Sequence, residues 1–122
     1  MRPLRIDRSE FEATLGSRLL EGVHLFGQAV TKEAEYAALR ARILNWQTMN
    51  FVFLRGAFRD ALPSAGYRAL FIEPDVRSRR LADRVDALKD ALARQLRSLR
   101  ALDETGRAVA GSVRGDAATS AA

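Results

Sequence analysis

Apolar positions recur with helical spacing along three stretches of the chain. Phe11, Leu15, Leu19, Val23 and Phe26 are three or four residues apart, which predicts a first helix over residues 8–27 with one apolar stripe. Asp7 and Glu10 have the spacing of a capping box at its start. Gly16 and Gly22 lie inside it, where a glycine suits the close approach of a neighbouring helix.

After the break "GQAVTK", Thr31 is placed to cap a second helix, with Glu33 and Glu35 in its first turn to favour the helix dipole. Tyr36, Leu39, Ile43, Trp46, Asn50, Phe53 and Ala57 then alternate at three and four residues, a heptad seam with a polar residue at one core position. The pattern predicts a helix to about Leu62, stopped by Pro63 and Gly66 and about 45 Å long.

The connector "PSAGYRALFIEPD" is too apolar at Tyr67, Leu70, Phe71 and Ile72 to hang in water, and its "YRALFI" suits a short strand or one helical turn equally. A third helix is expected from Asp75 to Glu104. Its seam is Leu81, Val85, Leu88, Leu92, Gln95, Leu99 and Leu102, Asp90 and Arg94 are paired one turn apart, and Gly106 is the stop. Residues 106–122 are small, polar and aperiodic, as in a mobile tail. The expected fold is therefore all-α, a three-helix bundle over residues 1–105. Its second and third helices form a long antiparallel hairpin.

Composition narrows the chemistry. The 122 residues suit one domain, and the absence of cysteine removes disulfides, thiolate metal sites and cysteine nucleophiles. The N-terminus has no apolar core of signal-peptide length. The apolar stretch around Phe51–Leu54 is interrupted by Asn45, Gln47, Asn50, Arg55, Arg59 and Asp60, so a soluble cytoplasmic protein without membrane contact is expected.

No metal cluster, phosphate loop or nucleophile triad can be made out, and no catalytic residue, metal or cofactor is assigned. Arg18 and His24 have the spacing of the arginine–histidine pair of HEPN-type ribonucleases. Six helical steps turn about 600°, which puts them on different faces. The net charge of +5 favours polyanions, and Arg77, Arg79, Arg80, Arg84, Arg94, Arg97 and Arg100 offer phosphate contacts. Interleaved Asp83, Asp86, Asp90, Asp103 and Glu104 make a solvated face the simpler reading.

The second helix carries the sharpest signal. "RILNWQTMNFVFLRGAF", residues 42–58, holds ten apolar side chains in seventeen positions. Leu44, Met49, Phe51, Val52 and Phe58 lie off the seam, so two neighbouring helices leave a third side for the connector or another chain. The stretch over roughly residues 15–60 resembles the helical region that precedes TIR-like nucleotide-binding domains in bacterial antiphage and signalling proteins. The matching positions are Arg18, Leu19, Leu20, Gly22, Trp46, Asn50, Leu54 and Phe58. The resemblance implies assembly or regulation of an effector, with the effector domain itself on another chain.

These readings converge on a non-enzymatic oligomerisation or adaptor module. Trp46, Met49, Asn50, Phe51, Phe53, Leu54 and Phe58 are expected at the interface with a second copy or a partner protein, and Asn50 is expected to set register. Nucleic-acid binding by the arginines is the alternative, and a HEPN-like ribonuclease acting through Arg18 and His24 is the third reading.

Overall fold

The computed structural model describes the backbone over residues 4–113 and the side chains over residues 4–103. It is all-helical in that range: α1 Arg8–Phe26, α2 Glu33–Ala57, α3 Leu62–Arg68 and α4 Leu81–Val113.

α1 begins where expected, but not by a capping box, because the Asp7 carboxylate is occupied by the Ser9 hydroxyl instead. Its buried face is Phe11, Leu15, Gly22 and Leu25, not the stripe through Val23 and Phe26, which are exposed. Gly22 accounts for the rotation. A Cβ there would stand 2.5 Å from both Trp46 and Leu96, so only glycine lets α1 sit between α2 and α4 at this depth. Gly16, by contrast, faces open space.

α2 starts two residues after Thr31. Glu35 reaches back to accept the Thr31 and Lys32 backbone N–H groups at 2.9 and 3.1 Å, together with the Thr31 hydroxyl at 3.0 Å. It stops at Ala57, short of Leu62, where Phe58 turns extended and pairs with Leu4 of the N-terminal segment. Its 25 residues span about 38 Å. Pro63 does not stop a helix; it sits in the first turn of α3, where its missing N–H costs nothing. α4 begins at Leu81 and not Asp75, and runs past the expected stop at Gly106 to Val113. The remainder of the expected tail, from residue 114, lies outside the described residues.

The three long helices touch pairwise, with α4 more closely apposed to α1 than to α2. α1 and α2 are antiparallel: Phe11 stacks on Phe53 near one end, and Trp46 Nε1 donates to the Arg18 carbonyl at 2.9 Å farther along. α1 and α4 are antiparallel as well, since Gly22 meets Leu96 while Lys89 reaches the Gln28 carbonyl. α2 and α4 then run parallel, with Glu33 opposite Arg84 and Gln47 opposite Gln95. The expected antiparallel hairpin of α2 and α4 is thus corrected; α1 and α2 are the sequential antiparallel pair.

A parallel return needs a chain that travels back the length of α2. After α3, residues 69–80 do this as a strap. Ile72 lies beside Gln47, Glu73 beside Arg40 and Asp75 beside Tyr36. The "YRALFI" segment is neither strand nor single turn: Tyr67 and Arg68 end α3, and the rest leads into the strap.

Candidate functional site

The residues expected at an interface are mostly spent inside the chain. Trp46, Asn50 and Leu54 are fully buried and Phe58 nearly so. Phe58 packs edge-on against Phe11, and Phe53 stacks on the same ring. Phe51 is half-buried, with Phe71 of the strap edge-on at 5.8 Å and the Arg68 guanidinium over its ring. On the third side of α2 the strap covers Phe51 and leaves Leu44, Met49 and Val52 exposed. Of the seven residues, Met49 alone is exposed, at 46%.

What stays open lies elsewhere on the first two helices. Leu20, Val23 and Phe26 of α1 and Leu44, Met49 and Val52 of α2 are exposed, Leu20 and Val52 most strongly at 74% and 62%. Met49 and Phe53 form one bank of a shallow groove whose other bank is Ala13, Thr14, Ser17 and Arg18. Leu20 and Val23 line a second depression with Ser17, Glu21 and His24.

Asn50 has a role within the chain. Its Nδ2 donates to the Tyr67 hydroxyl at 3.0 Å, which donates to Gln95 Oε1 at 2.6 Å. Gln95 Nε2 donates in turn to Gln47 Oε1 at 2.8 Å and to the Leu70 carbonyl at 2.9 Å. Gln47 Oε1 also receives the Ile72 backbone N–H at 3.0 Å. Three helices and the strap are tied through one buried network. Burial holds the Tyr67 hydroxyl far above the usual phenol range, so it remains protonated and can donate. Asn50 Oδ1 is buried and has no donor among the described residues.

The seven arginines divide. Arg84 is 7% exposed and committed: it grips Asp75 through Nε and Nη2 at 2.9 and 2.7 Å, reaches Glu33 at 2.5 Å, and lies over the Tyr36 ring at 4.6 Å. Its grip holds the Asp75 carboxyl down to about 2, against burial, with a further hydrogen bond from Tyr36. Arg77, Arg79, Arg80, Arg94, Arg97 and Arg100 are exposed. Arg79 and Arg94 line a pocket under the strap, whereas Arg97 and Arg100 line no part of it. No ion pair within 4 Å joins Asp90 to Arg94 among the described residues, contrary to the pairing their spacing suggests.

Arg18 and His24 are not brought together. Arg18 pairs with Glu21 at 3.0 Å and points its other Nη at the Met49 sulfur, while exposed His24 meets Gln28. Among the described residues no group of His, Asp or Glu could hold a metal, and no helix is long and apolar enough to cross a membrane.

Sequence reasoning missed Gln47, Tyr67, Tyr36, Arg40 and Asp75. Two signals were present: Arg84 stands at core spacing, four residues before Leu88, and Gln47 is a polar residue inside an apolar run. No protein-family model, curated protein or solved structure matches the chain.

Proposed function

We propose that this protein is a non-enzymatic helical assembly module that docks through the outer faces of α1 and α2 onto a second copy or a partner protein. The observation that carries the reading is the set of large apolar side chains on those two helices, Leu20, Val23, Leu44, Met49 and Val52, that the fold leaves uncovered. Docking would remove this surface from water, and each side chain so buried contributes about 1.5–3 kcal/mol before the costs of association. The reading keeps the assembly role implied by the resemblance to TIR-associated helical regions, but moves the contact from the buried seam to the exposed positions.

The test is mass in solution by sedimentation equilibrium over a wide concentration range, for the parent, Leu20→Asp and Val52→Asp. Both positions are exposed, so the variants keep the core intact. The expected result is a self-associated or partner-bound parent with both variants shifted to monomer. A parent that stays monomeric, and that loses no partner when these residues change, would overturn the reading.

A further inference from the structure

Under the strap lies a pocket of about 400 Å³, within the ordinary range for small-molecule sites of about 300–1,000 Å³. Three elements build its wall: Tyr36 and Arg40 from α2, the stretch Ile72–Val76 with Arg79 from the strap, and Ala91 and Arg94 from α4. Four arginines therefore line one concavity. Arg84 has its charge absorbed by Asp75 and Glu33. The other three make no ion pair within 4 Å among the described residues; Arg40 gives one Nη2 hydrogen to the Glu73 carbonyl at 2.8 Å and lies near enough to Asp75 to help hold its carboxyl down.

The acidic side of the wall is weaker than its residue count suggests. Both Asp75 oxygens accept hydrogen bonds, Oδ1 from Tyr36 and Arg84 and Oδ2 from Arg84, so this carboxylate is engaged within the wall, although the one charge of Arg84 is shared between it and Glu33. Glu73 and Asp90 are the remaining carboxylates, both exposed, against Arg40, Arg79 and Arg94, which make no ion pair within 4 Å among the described residues. The frame is also held in place. Gln47 fixes the strap at Ile72, Arg40 at Glu73 and Arg84 at Asp75, so the strap side of the pocket is in place before a ligand arrives.

We propose that this pocket binds the phosphate group of a small organic molecule, with Arg40, Arg79 and Arg94 as its ligands. Phosphate suits the arrangement better than carboxylate. It presents oxygens in several directions, and guanidinium donors from three separate elements can each meet one, with Arg forks adding paired hydrogen bonds. A concave site also favours a compact anion over a nucleic-acid strand. The outward arginines Arg97 and Arg100, which a strand would need to continue its track, line no part of the pocket.

The experiment is a titration with pyrophosphate at constant ionic strength, followed by calorimetry and by amide shifts. The parent, Arg94→Gln, Arg40→Gln and Arg97→Gln are compared, with circular dichroism confirming the fold of each. The expected result is saturable one-to-one binding that Arg94→Gln and Arg40→Gln each weaken by about tenfold or more. Arg97→Gln, which removes the same charge from the same helix outside the pocket, should change it by less than about twofold. Absence of saturable binding, or equal weakening by Arg97→Gln, would overturn the assignment. A short single-stranded RNA that binds far more tightly than pyrophosphate, and loses affinity with Arg97→Gln and Arg100→Gln as well, would overturn it in favour of a diffuse polyanion surface.

Discussion

α2 has two unlike sides. Toward α1 it is held by shape: Trp46 fills the space that Gly22 leaves, and Phe53 and Phe58 close on Phe11. Toward the strap and α4 it is held by polar ties, through Gln47 and Asn50 at the centre and through Tyr36, Arg40 and Glu33 near its start. The difference follows from connectivity. An antiparallel pair such as α1 and α2 closes through a short turn and can rely on close packing. The parallel pair α2 and α4 needs a return segment, whose backbone N–H and C=O groups become buried and must find partners. Gln47 and Gln95 supply them, accepting from Ile72 and donating to Leu70.

The shape-held side should show the largest effect. Trp46→Ala removes the biggest fully buried side chain and its bond to the Arg18 carbonyl, and is expected to cost about 3–5 kcal/mol in urea unfolding. A loss under about 1 kcal/mol would mean that α1 collapses onto α2 without a shaped fit.

On the polar side, Gln95→Leu keeps the volume but leaves the Leu70 carbonyl, the Tyr67 hydroxyl and Gln47 each one partner short. The expected cost is about 2–3 kcal/mol, because buried groups left unpaired lose more than an average hydrogen bond contributes. Hydrogen exchange should sharpen the contrast: the Ile72 amide loses protection in Gln95→Leu and keeps it in a conservative change on the α1 side. Equal protection at Ile72 in both would show that the network does not hold the strap.

The same contrast explains what could be read from the chain alone. Helical periodicity is a local signal, so α1 and α2 were legible, as was most of the seam of α4: Leu88, Leu92, Gln95 and Leu99 are all buried. Two residues gave misleading signals. Pro63 reads as a stop, yet a proline in the first turn of α3 is equally favourable. Asn50 reads as a register device between chains, because a buried polar residue on a heptad seam has that use. Its partner, Tyr67, is seventeen residues away in a segment with no period, so nothing local could reveal it. Helix direction was lost for the same reason. Whether two helices run parallel or antiparallel depends on the path between them, and the strap carries its information in single polar contacts rather than in a pattern. The pocket under the strap inherits this, since Arg40, Arg79 and Arg94 are widely separated in sequence.

The smallest expected effect concerns the ionic end of the polar side and appears only in acid. Arg84 first, with Tyr36 assisting and burial opposing, holds the Asp75 carboxyl to about 2 in the folded chain, below its ordinary value of 3.8. A carboxyl with a depressed folded value stabilises the fold wherever it is ionised in both states, which is the range above about 4. As pH falls below that, the unfolded chain takes up the proton first, and the contribution declines until it is gone below about 2. Urea midpoints measured from neutral pH down to about 2 should therefore fall less steeply in Asp75→Asn than in the parent within that window, after a constant offset at neutral pH. Parallel acid limbs would mean that Asp75 titrates alike in both states, so that Arg84 fastens the strap by packing on Tyr36 and not by charge. In that event Asp75 would bring an unneutralised charge to the pocket beside it, and the polar side of α2 would differ less from the shape-held side than the geometry implies.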